Sequence, residues 1–112
     1  MTPEAFIAVA SGLAMVKAKT VMGAVRLAVG GKTFATVGWP EAGWAVVRLS
    51  PDCQKSLMAQ TAALAPEPGT RGRRGVTLVR LRVLGDAVAG RVLSAAWRHA
   101  QGQSDTLTAK AG

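Results

Sequence analysis

The 112-residue chain is poor in the residues that build catalytic and metal centres. It has one cysteine, Cys53, and one histidine, His99. An internal disulfide and a cysteine-rich zinc site are therefore excluded. Cys53 falls on an apolar helix face and reads as a small buried side chain. Tyrosine is absent, and two phenylalanines and three tryptophans make up the aromatic complement. The core is therefore expected to be aliphatic, with Phe6, Phe34 and the tryptophans as its largest pieces. Acids number six against fourteen basic residues. Glu4, Asp52 and Asp86 stand at helix starts, Glu41 and Glu67 in turns, and Asp105 near the C-terminus. No nucleophile, base and orienting group come together, so the expected protein is not an enzyme and uses no cofactor or metal.

Long apolar runs are missing too. Nothing approaches the ~20 uninterrupted apolar residues needed to span a bilayer. The first apolar run is broken by Glu4, Ser11 and Gly12 and has no basic residue before it, unlike a secretory signal. The expectation is a cytoplasmic protein without a membrane partner. A chain this short supports one modest core. That places a single domain over residues 1–100 and an aperiodic, flexible tail over 101–112.

What the chain has in abundance is positive charge, net +8, carried by nine arginines and five lysines. Arg71 to Arg82 reads RGRRGVTLVRLR, five arginines with no acid. Planar guanidinium groups suit phosphates, and so one-sided a patch fits a phosphate-bearing partner.

Thr2-Pro3-Glu4 opens a helix with a hydroxyl cap, proline in the first turn and an acid at the positive end of the dipole. Lys17-Ala18-Lys19-Thr20 reads as loop. From about Met22 the period becomes two, and Val25, Leu27 and Val29 alternate with Arg26 and Ala28. Gly30-Gly31 predicts a tight hairpin, Lys32 to Val37 the returning strand, Trp39 to Gly43 a turn, and Trp44 to Leu49 a third strand. Ser50-Pro51-Asp52 opens a second helix running to about Leu64. A strand from Val76 to Val83 follows the arginine loop, and Asp86 caps a last helix to about His99. The order α-β-β-β-α-β-α with glycine turns predicts an α+β two-layer sandwich, an antiparallel sheet with its helices on one face.

The other face then carries Arg26, Trp44, Arg48, Arg80 and Arg82. Trp44 either stacks on a base or closes over neighbouring arginine stems. Arg71, Arg73 and Arg74, flanked by Gly72 and Gly75, form a mobile basic loop beside the sheet. Neither that loop nor Gly30-Gly31-Lys32 has the spacing of a nucleotide-binding fingerprint.

The run VGGKTFATVGWPEAGWAVVRLSPD, followed by RRGVTLVRLRVL and AAWRHA, resembles the MmcQ/YjbR-like family of small bacterial proteins. The resemblance spans roughly residues 1–100 and rests on Gly31-Lys32-Thr33-Phe34-Ala35, on Ser50-Pro51-Asp52 and on Ala96-Trp97. It implies a CyaY-like fold and DNA binding by analogy with a double-wing motif. Val76 departs from the family pattern where an aromatic is usual, and Ala14 where proline is. The acidic surface that iron binding by a CyaY-like fold needs is missing. The functional expectation is a nucleic-acid-binding protein, duplex DNA for choice, contacting the backbone through Arg26, Lys32, Arg48, Arg80 and Arg82 from the sheet and Arg71, Arg73 and Arg74 from the loop. The alternatives are an interaction module or self-associating subunit that docks an acidic partner, and a small-anion or nucleotide sensor.

Overall fold

The computed structural model describes residues 1–102, so the expected tail from 103 onward lies outside the described residues. The elements run α1 (Pro3–Ser11), β1 (Val16–Val21), β2 (Ala24–Val29), β3 (Lys32–Val37), β4 (Trp44–Arg48), α2 (Pro51–Met58), β5 (Leu64–Pro66), α3 (Thr70–Arg73), β6 (Val76–Arg80), a 3-10 turn (Leu81–Val83) and α4 (Asp86–Ala100). Six antiparallel strands make one sheet in the order β1-β2-β3-β4-β6-β5. Helices α1, α2 and α4 cover one of its faces. The chain is a compact α+β two-layer sandwich.

The helix starts form for the reasons their sequences give. Thr2 Oγ1 accepts from the Ala5 amide at 3.0 Å, and Ser50 Oγ from the Cys53 amide at 3.1 Å. Each hydroxyl satisfies an amide that the first turn leaves without a helical partner. Between the layers lies an aliphatic core. Leu27, Ala35, Val37, Ala45, Val47, Leu49 and Val79 from the sheet meet Ala89, Val92, Leu93 and Ala96 of α4 and Phe6 and Ala10 of α1.

The structure corrects several expectations. Lys17 to Thr20 is not loop but part of β1, joined to β2 by a hairpin at Met22-Gly23. Both turn residues have positive φ, 52° and 84°, as a type I′ turn requires. Methionine gives no signal for such a turn, so the hairpin is hidden in the sequence. Helix α2 stops at Met58, and Leu64 instead begins β5. Strand β6 stops at Arg80, which leaves Val83 56% exposed rather than inward-facing. Asp86 is the first residue of α4 and the cap position is Gly85. Of the tryptophans only Trp97, half-buried, packs against the core; Trp44 is half-buried outside it and Trp39 is exposed. Phe6 and Phe34 are fully buried.

Phe34 has a second role. The register passes from Leu27 opposite Ala35 to Ala28 opposite Thr33, so Phe34 is the extra residue of a β-bulge. The bulge turns its ring into the core. It also reverses the in-and-out phase of β3 on its N-terminal side.

Candidate functional site

Strand register sorts the polar residues by face. Ala45 and Val47 point to the helices, so Trp44, Val46 and Arg48 point away from them, as do their partners Arg80, Leu78 and Val76 on β6. Following the pairing across the sheet gives one row: Lys19, Arg26, Thr36, Val46, Leu78 and Ala65. Lys17, opposite Ala28, lies on this same uncovered face. None of the six strands contains an acid. The cations are therefore not balanced within the sheet, and Lys19 stands directly opposite Arg26. Like charges in that relation destabilise a sheet.

The uncovered face holds a cleft of about 530 Å³. Arg26, Arg48 and Arg71 border it together with Thr36, Val46, Met22 and Trp39. Arg26 and Arg48 are exposed and make no ion pair or side-chain hydrogen bond with the described residues. Arg71 Nε sits 2.9 Å from Glu67 Oε1, an exposed (i, i+4) pair of small stabilising effect. Trp44 is outside the cleft, and the Arg80 guanidinium lies 5.0 Å from its ring centroid, within cation–π range.

Four expected site residues are placed differently. Lys32 pairs with Val29 and so lies at the hairpin tip on the helix side of the sheet. The phase reversal at Phe34 puts it there, since unbroken alternation would have aligned it with Thr36. Arg82 is in the 3-10 turn, beyond the end of β6. Arg73 and Arg74 are exposed around the end of α3, and Arg73 Nη2 approaches Thr70 Oγ1 at 3.4 Å.

The arginine loop is a fastened helical turn rather than a mobile segment. Gln54 Nε2, on α2, donates to the Gly72 carbonyl at 3.0 Å, to the Val76 carbonyl at 3.3 Å and to Thr77 Oγ1 at 3.0 Å. Thr77 Oγ1 in turn donates to the Gly75 carbonyl at 2.9 Å. Gln54 and Thr77 are both buried. A Cβ on Gly72 would fall 1.7 Å from the Glu67 oxygen, and one on Gly75 would fall 1.8 Å from the Leu49 oxygen. These glycines permit close backbone packing, which is a different use from flexibility.

Sequence reasoning missed Lys17, Lys19 and Trp39. For the lysines a signal exists, because Val16, Ala18 and Thr20 alternate with them at the strand period. Trp39 reads only as a turn residue. Its place at the cleft rim depends on the turn after β3 passing close to the β1–β2 turn, where a Cβ on Gly38 would meet Ala24 Cα at 3.6 Å. Among the described residues no three of His, Cys, Asp and Glu are grouped to hold a metal ion, and no helix is long and apolar enough to cross a membrane.

Fold and cleft define a class: a small α+β two-layer sandwich with an acid-free sheet, one face of which is left uncovered. No family model matches the chain, and no curated protein matches it. Among solved structures it is similar to Deinococcus radiodurans protein DR2400, a DUF419 domain. The TM-score is 0.65 at 14% identity, covering 99% of this chain and 95% of that one. At that identity the likeness shows the fold alone.

These comparisons correct the family expectation. The likeness is to a DUF419 domain, and assignment to the MmcQ/YjbR-like family with a CyaY-like fold does not stand. The motifs behind it have local explanations. Gly31 to Ala35 is a hairpin followed by a bulge, Ser50-Pro51-Asp52 is a helix cap, and Trp97 Nε1 donates to the Ala14 carbonyl at 2.9 Å. The double-wing analogy, and the DNA-binding role argued from it, go with that assignment. Any functional reading must rest on this chain's own residues.

Proposed function

We propose that this protein binds nucleic acid through the phosphate backbone on the uncovered face of its sheet, without catalysing a reaction. The supporting observation is the approach of Arg26, Arg48 and Arg71 to one cleft, flanked on the same face by Lys17, Lys19 and Arg80. Arg71 is paired with Glu67, but the strands of this face carry no acid to balance the other cations, and Lys19 opposite Arg26 costs the fold stability. A surface selected for folding alone would be better served by opposite charges at that pair. Arginine and lysine neutralise phosphates without reading sequence, so the binding is general.

Fluorescence anisotropy with a labelled oligonucleotide, single-stranded and as a duplex, tests this. Each neutralised duplex phosphate contributes about −0.9 to the slope of log affinity against log salt, and each single-strand phosphate about −0.7. Four to five contacts give slopes of roughly −4 and −3 respectively. Affinity that stays flat as salt rises, or no binding of either form at low salt, would remove the proposal.

A further inference from the structure

The cleft has an aromatic end and a cationic end. Ala24 and Gly38 mark the end next to the two turns, where Met22 is fully exposed and Trp39 is 56% exposed. Four residues along β2 from Ala24, Ala28 pairs with Thr33, which lines the cleft toward its other end together with Arg48 and Arg71. At strand rise that separation is roughly 13 Å, and Arg26 lies midway. Nothing in the fold requires an exposed indole here. Its ring borders the cleft without entering the core, whereas Phe34, from the same strand-and-turn segment, is fully buried.

We infer that this cleft is a subsite for an unstacked nucleotide, with the base against Trp39 and the flanking phosphates on Arg26 and Arg48, so that the protein prefers single strands to duplexes. The inference rests on the nucleic-acid reading above and narrows it. In a duplex the base faces are stacked on one another, and a protein reaches base edges from the grooves. An indole face beside phosphate-binding cations therefore has a use only where bases are splayed out. Thr33 and Thr36 supply hydroxyls along the cleft floor, and Val46 gives it an apolar patch for the sugar. Stacking tolerates every base, which agrees with a cleft that contains no carboxylate or amide side chain.

The test compares a short labelled oligothymidylate, a blunt duplex of equal length, and free thymidine monophosphate as competitor. Wild-type protein, Trp39→Ala and Trp39→Phe are each titrated at low salt. Loss of one stacked base predicts that Trp39→Ala weakens single-strand binding about 5- to 150-fold. Trp39→Phe restores most of it. Duplex affinity and the salt slope stay the same in all three proteins, because no charge has changed. Two results would overturn the inference while leaving backbone binding in place: a duplex that binds as tightly as the strand, or a Trp39→Ala loss below twofold. A monophosphate that competes as well as the oligonucleotide, residue for residue, would replace the strand with a small-molecule ligand. If neither strand nor duplex binds, the failure belongs to the broader reading. Trp39 is exposed, so an unchanged thermal melt of Trp39→Ala separates lost binding from lost folding.

Discussion

The two faces of the sheet are made by the same strands and follow different rules. On β4, Ala45 and Val47 are fully buried against the helices, while Arg48 between Val47 and Leu49 is exposed. The buried sheet residues of the covered face are apolar apart from Thr77, which is paired with Gln54. The uncovered face mixes Lys17, Lys19, Arg26, Thr36, Arg48 and Arg80 with a few apolar side chains. The covered face answers to packing, where a change of even one methylene is felt. The uncovered face has no such constraint, so its composition records something other than stability. That it collects cations and avoids acids, against the local interest of the Lys19–Arg26 pair, is the most informative property of the molecule.

Substitutions can break this comparison at several points. The largest effect is expected on the covered face. Phe34→Ala should cost about 3–5 kcal/mol of unfolding free energy, the usual loss for a buried ring. Urea denaturation reads it directly, and an unchanged midpoint would mean that the bulge does not anchor the core. Gln54→Ala comes next. It leaves the Gly72 carbonyl and Thr77 without their buried donor and should cost about 1–3 kcal/mol. The loop held by Gln54 would loosen, so Arg71 should contribute less to binding. If stability falls and binding is unaffected, the fastened loop serves the fold alone.

Lys19→Glu sharpens the contrast further because its two effects have opposite signs. Facing Arg26, the new carboxylate should stabilise the sheet by about 0.2–1 kcal/mol, while nucleic-acid affinity falls and the salt slope shrinks by about one unit. A variant that is both less stable and equally active would put Lys19 on the wrong face. The smallest effect belongs to Arg73→Ala with Arg74→Ala. Both side chains are exposed beyond the Gly72 and Gly75 contacts, so stability should stay within about 0.5 kcal/mol.

Much of the architecture was legible in the sequence because it depends on neighbours a few residues apart. The Thr2 and Ser50 caps, the Gly30-Gly31 hairpin and the alternation of β2 and β4 are of that kind, and the alternation is enough to place Arg26, Arg48 and Arg80 on one face. What stayed hidden depends on distant residues or on residue types with weak local preference. Met15 and Met22 adopt positive φ, 63° and 52°, which methionine does not advertise, and this concealed both ends of β1. Gly72 and Gly75 suggest mobility until Gln54, 18 residues before Gly72, is seen to donate to its carbonyl. Lys32 lies off the cationic face because a single bulge at Phe34 reverses every side chain beyond it, and nothing local in the sequence marks that bulge. Trp39 belongs to the cleft only because two turns lie side by side.

The central claim is that placement on the uncovered face, and not net charge, governs binding. Two double charge reversals isolate it: Arg26→Glu with Arg48→Glu on that face, and Lys55→Glu with Arg91→Glu on the exposed helix layer. Each lowers the net charge from +8 by the same amount. The measurement is single-strand affinity of both variants at one low salt concentration. The account predicts that the sheet-face variant loses at least about 100-fold, as expected when two charge-assisted contacts of ~1.5–3 kcal/mol each are removed, and that the helix-layer variant stays within a few-fold of wild type. Equal losses in the two variants would contradict it, because the protein would then be a general polycation with no binding face.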